Sequence, residues 1–120
     1  MYTISKDYHF SASHILPQLP RDHPCSRMHG HNYVVTVELQ SETLNAYGFV
    51  RDYRELDDLK RFIDDKLDHH HLNDILGDDN VTAEQIAKYI FDWCKARWSE
   101  VSAVRVSETP KSMAEYRPSK

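Results

Sequence analysis

Cys25-Ser26-Arg27-Met28-His29-Gly30-His31-Asn32-Tyr33 runs directly into Val34-Val35-Thr36-Val37-Glu38-Leu39. The latter part reads as a β-strand, whose side chains point to opposite faces at every step. His29 and His31 then share a face with Tyr33, Val35, Val37 and Leu39, the inward face of a half-buried strand. Two imidazoles side by side on a core face are costly to bury. A metal ion removes that cost, because neutral imidazole is a common ligand. Upstream, Tyr2, Ile4, Lys6, Tyr8, Phe10, Ala12 and His14 form a second series with period two, ending in a histidine. A loop containing Pro17, Pro20 and Pro24 joins the two strands. Antiparallel pairing sets the end of the first strand beside the start of the second. His14, His29 and His31 therefore converge, and the expectation is a three-histidine metal site.

The chain has 120 residues, of which 40% are hydrophobic, enough for one small core and a single domain over 1–120. Its net charge of -4 speaks against a general nucleic-acid binder, which would be basic. There is no apolar run of the roughly 20 residues that span a bilayer, and the N-terminus does not read as a signal peptide. A cytoplasmic location is expected. Cys94 falls on the apolar stripe of a helix and reads as core, whereas Cys25 sits in a polar loop with Asp22, His23, Ser26 and Arg27. A loop thiol beside a metal site is better placed for chemistry than for packing.

Strands are expected over about Tyr2–His14, His29–Gln40, Val101–Glu108 and Ala114–Arg117. Two helices separate the pairs. Asp52-x-x-Glu55 reads as a capping box opening a helix with Leu56, Leu59, Ile63 and Leu67 on one stripe. Thr82 with Gln85 opens a second, carrying Ala83, Ala87, Ile90 and Cys94, widened by Ile86, Phe91 and Trp98. The order β-β-α-α-β-β describes an α+β domain, a four-stranded antiparallel sheet with two helices on one face. Its second face, bearing Val34, Thr36 and Val50, is then uncovered and its edges open, so a homo-oligomer is expected.

Three histidines without a carboxylate or thiolate ligand suit zinc with an open fourth position, a catalytic arrangement. The competing reading closes the site with Cys25 as a structural fourth ligand. An open zinc polarises a bound carbonyl or hydroxyl, and Cys25 is then a candidate base or nucleophile. Asp68-His69 is a candidate carboxylate–imidazole relay. The plainer account of His69, His70 and His71 is a cluster at a helix C-terminus, favoured by the dipole. Glu108 ends the apolar Val104–Val106 face and requires a donor pair. Arg105 or Arg117 would satisfy it, and so would a ligand with a guanidine-like edge.

Together these motifs resemble the 6-pyruvoyltetrahydropterin synthase family over essentially the whole chain. The resemblance rests on Phe10-Ser11-Ala12-Ser13-His14, Cys25-x-x-x-His29-Gly30-His31-Asn32-Tyr33, Leu67-Asp68-His69-x-x-Leu72-Asn73-Asp74 and Glu108-Thr109. The short spacing from thiol to histidines is similar to the carboxy-forming bacterial branch. The resemblance implies the tunnelling fold, in which trimers close a barrel and pair into a hexamer. It implies zinc on His14, His29 and His31, Cys25 as proton-abstracting thiolate, and Asp68 and His69 contributed by a neighbouring subunit. It implies Glu108 as the anchor of a pterin edge. The implied substrate is 7,8-dihydroneopterin triphosphate, cut to a carboxypterin with loss of acetaldehyde and triphosphate in the queuosine pathway. A shared site also fits the length of the first helix, which sets Asp68 apart from the zinc strands. His23, Arg27 and Lys111 are candidates for gripping the triphosphate.

Overall fold

The computed structural model describes residues 1–119. Strands β1 (Tyr2–His14), β2 (His29–Ser41), β3 (Val101–Thr109) and β4 (Ser112–Tyr116) form one antiparallel sheet in the order β1-β2-β3-β4. The long β1–β2 ladder keeps one register throughout, pairing Phe10 with Tyr33, Ala12 with His31 and His14 with His29. That register puts every apolar residue of the alternating series on the helix side. Tyr8, Phe10, Tyr33, Val35, Val37 and Leu39 are all buried there.

The helical layer comes from the two expected stripes. A 3₁₀ turn (Tyr53–Leu56) leads into α1 (Asp57–Phe62), which ends in a π turn (Ile63–Leu67). Leu56, Leu59, Ile63 and Leu67 are buried to within 1% of fully. The expected Asp52–Glu55 capping box does not close. Asp52 accepts from the Arg54 amide, and the Glu55 carboxylate turns away to Arg51. The second box, Thr82 with Gln85, is complete and opens α3 (Ala83–Arg97). Between them lies α2 (Leu72–Leu76), a five-residue helix with no side-chain cap that ends at Gly77 in the left-handed region.

The other face of the sheet differs from expectation. It carries cross-strand polar pairs such as Thr36 with Asp7 and Ser11 with Asn32. Val50 lies outside the strands, in the connection before the 3₁₀ turn. At the centre of this face Glu38 is 6% exposed, held by Ser102, Arg105 and Arg117. An apolar face in need of cover is thus absent among the described residues.

Candidate active site

The rung His14–His29 and the neighbouring His31 bring three imidazoles together, with ring centroids 4.5, 5.1 and 4.8 Å apart. Two are fixed by carbonyls. His14 Nδ1 donates to Val81 O at 2.8 Å, and His29 Nδ1 donates to Arg27 O at 2.6 Å. A carbonyl only accepts, so each of these rings carries its proton on Nδ1 and leaves an Nε2 lone pair free. All three Nε2 atoms are buried with no hydrogen-bond partner. One ligand nitrogen from each ring lies within 4.8 Å of the others. Zinc takes imidazole nitrogen at about 2.0–2.1 Å, and a donor set this tight fits such an ion after a small inward movement of the rings. Burial pushes the His14 imidazole below its ordinary value, which favours the neutral, ligating form.

Cys25 stands outside that nitrogen group. It lies in a 3₁₀ turn (Pro24–Ser26) capped by His23, whose Nδ1 accepts from the Cys25 amide at 3.1 Å. That ring is thereby engaged in the turn. The Leu16 amide donates to Cys25 O at 2.8 Å, tying the thiol loop to the chain just past His14. Arg27 is exposed, and its carbonyl is the part that serves the site, accepting from His29 Nδ1. His14, Cys25 and Glu108 line one cavity of about 450 Å³, closed at another side by the first turn of α3.

Glu108 has neither of the arginine partners that the sequence allowed. Arg105 and Arg117 both go to Glu38. The Glu108 carboxylate instead lies 3.5 Å from His31 Nε2, too long for a hydrogen bond, and is 23% exposed. Beside it the fully buried Tyr33 ring stacks on Phe10 and meets His14 and His31 edge-on. Burial, with Glu108 and Cys25 as lesser causes, raises the phenol well above its usual value and keeps it neutral.

Asp68 and His69 lie elsewhere. The π turn places the Asp68 amide on Ile63 O, five residues back, and the chain then runs along the free edge of β1. The Asp68 carboxylate accepts from the Ser11 amide at 2.8 Å, which holds it below the usual carboxylate range. His69 donates its amide to Ser11 O, and the Ser13 amide donates to His70 O. Among the described residues His69 is the non-glycine residue with positive φ, at 59°, and its Nδ1 is 2.9 Å from Asp68 Oδ2. The neighbouring rings are otherwise engaged, His70 with Asp68 O and His71 with Ser13 Oγ. Of the three consecutive histidines, His69 is therefore the one paired with the carboxylate. Helix length does not separate this pair from the strands that carry the three histidines, because Ser11 pairs directly with Asn32 of β2. His69 borders a cavity that Cys25 does not line, formed also by Ser11, Ser13, Gly30, Asn32 and the His31 of the cluster. Sequence reasoning missed Val81 O and Arg27 O, since backbone acceptors leave no residue-type signal.

The fold is thus an α+β sheet with a three-histidine cluster that could hold a metal ion, and one of its rings shares a cavity with a thiol and a carboxylate. The family model for 6-pyruvoyl tetrahydropterin synthase matches residues 3–119, and the chain belongs to that family. A 6-carboxy-5,6,7,8-tetrahydropterin synthase of Bacillus subtilis is 34% identical over 99% of this chain and 87% of its own length. One from Synechocystis is 35% identical over 97% and 93%. The structure of Caenorhabditis elegans 6-pyruvoyl tetrahydropterin synthase superposes with a TM-score of 0.85 at 29% identity, covering 98% of this chain and 96% of that one. The chain therefore has the tunnelling fold.

Proposed function

We propose that this protein is a zinc-dependent carbon–carbon lyase. It converts 7,8-dihydroneopterin triphosphate and one water to 6-carboxy-5,6,7,8-tetrahydropterin and releases acetaldehyde and triphosphate, an early step of queuosine biosynthesis; the water supplies the second carboxyl oxygen. The observation that carries this reading is the cluster of three free imidazole nitrogens, one of whose rings, His14, lines a cavity with Cys25 and Glu108. The naming of the bacterial relatives as carboxytetrahydropterin synthases supports the product.

His14, His29 and His31 hold the zinc, which supplies Lewis-acid polarisation of the substrate's side-chain oxygens. Glu108 accepts two hydrogen bonds from the amino-pyrimidinone edge of the pterin, the donor pair that its carboxylate otherwise lacks. Tyr33, stacked on Phe10, packs edge-on against His14 and His31 and holds those rings in place. Cys25 takes a proton from the substrate side chain. Asp68 orients His69 through the 2.9 Å contact, and His69 relays a proton. His69 and Cys25 line different cavities of one chain, which supports His69 serving the Cys25 site of a neighbouring copy. The assembly proposed is a homohexamer, a dimer of trimers.

The test is product identification from purified protein and dihydroneopterin triphosphate. Acetaldehyde and a carboxypterin in equal amounts are expected. A 6-pyruvoyl product without acetaldehyde supports the second reading, favoured by the close superposition on the nematode enzyme. Turnover of neither kind in zinc-loaded protein overturns both.

A further inference from the structure

The stretch from Asp68 to Asn73 closes the free edge of β1 rung by rung, and its last rung is a side chain. Ser11, Ser13 and Ile15 turn their peptide groups away from β2. Ser11 and Ser13 are met by Asp68, His69 and His70. Ile15 is met by the carboxamide of Asn73, which imitates a peptide group. Asn73 Oδ1 accepts from the Ile15 amide at 2.9 Å, and Asn73 Nδ2 donates to Ile15 O at 3.1 Å. The same Nδ2 donates to Asp79 O at 3.0 Å. Ile15 follows His14 directly. Asp79 lies two residues before Val81, whose carbonyl accepts from His14 Nδ1. One carboxamide thus grips both the backbone that carries the His14 ring and the loop that fixes that ring's tautomer.

We propose that Asn73 is a positioning residue for metal binding, acting through His14. This rests on His14, His29 and His31 being the ligand set. Groups that orient a ligating imidazole set its direction and basicity, and their loss weakens metal binding by roughly 10–100-fold. Asparagine is required because the rung needs an acceptor and two N–H donations at once. Aspartate keeps the acceptor, loses both donations, and faces two carbonyl oxygens with a charge.

The test uses the full chain stripped by chelation and titrated with Co²⁺, read by its visible absorption, and with Zn²⁺ in competition with a chromophoric chelator. Asn73→Ala and the isosteric Asn73→Asp are each expected to bind about 10–100-fold more weakly, with wild-type far-ultraviolet circular dichroism and an altered Co²⁺ spectrum. In a His14→Ala background, Asn73→Ala is expected to cause no further loss. Asn45 offers the control, since its side chain only accepts from Tyr47 and Phe49 in a remote turn. Asn45→Ala is expected to bind metal as the wild type does. Wild-type affinity in both Asn73 variants overturns the proposal. So does an equal loss in the His14→Ala background, which would mean that Asn73 acts without His14. A wild-type chain that binds neither ion overturns the ligand set itself, and this inference with it.

Discussion

His14 and His29 occupy one rung of the β1–β2 ladder, and their protons point outward to carbonyls from two different loops. The free nitrogens are therefore fixed by the fold. His29→Ala is expected to lose zinc sharply in metal analysis, while Cys25→Ala retains it and loses roughly 10²–10⁴-fold in turnover. Zinc loss in Cys25→Ala as severe as in His29→Ala would make the thiol a structural ligand. At His69 two properties must be separated, because the residue has both an imidazole and a left-handed backbone. Asparagine enters that region readily. His69→Asn is thus expected to hold Tm within a few degrees while turnover falls about as far as in Cys25→Ala. Normal turnover in His69→Asn would remove the ring from the mechanism. The convergence of the three histidines was legible in the sequence because strand alternation and the antiparallel pairing of β1 with β2 align them. The unpaired state of Glu108 was not, because it depends on where Arg105 and Arg117 go, and they go to Glu38 on the opposite face.

The sheet's polar face has its own titration. Hydrogen bonds from Arg117, then Arg105 and Ser102, bring the Glu38 carboxyl down from 4.5 to about 2, against the opposing effect of burial. A carboxyl depressed in the folded state contributes stability that is full above its unfolded value and fades as pH falls toward the folded one. The wild type is therefore expected to lose stability between about pH 4.5 and pH 2. Glu38→Gln is expected to be about 2 kcal/mol less stable at neutral pH, with a flatter acid limb in urea titrations. An unchanged acid limb would show that the cluster contributes nothing. Strands and the two apolar helical stripes were legible, since each has a long period to read. Neither α2 nor the π turn was. Both are five residues long, and each is set by hydrogen bonds to β1 or to its own preceding turn rather than by periodicity.

For the molecule as a whole, the proposed sharing of the site between copies rests on Cys25 and His69 lining different cavities of one chain. Mixing Cys25→Ala with His69→Ala under subunit exchange is expected to restore part of the activity. Exchange without recovery would give each chain a complete site of its own. Chelation is expected to leave the far-ultraviolet spectrum unchanged and to be reversible, because the ladder and two carbonyls hold the rings. Unfolding on chelation would show that the ion builds the site.

The strip of chain from Asp68 to Asn73 also works as a doorstop. It occupies the hydrogen-bonding edge of β1 from Ser11 to Ile15 and leaves the edge from Tyr2 to His9 open. A strand added from another molecule has room only along that open run and must halt before Ser11. Slippage toward the histidines, which would change which side chains meet across the seam, is barred by the chain itself. The alignment of any neighbour along β1 is thus limited at one end by the same strip of chain whose Asn73 grips the backbone next to His14.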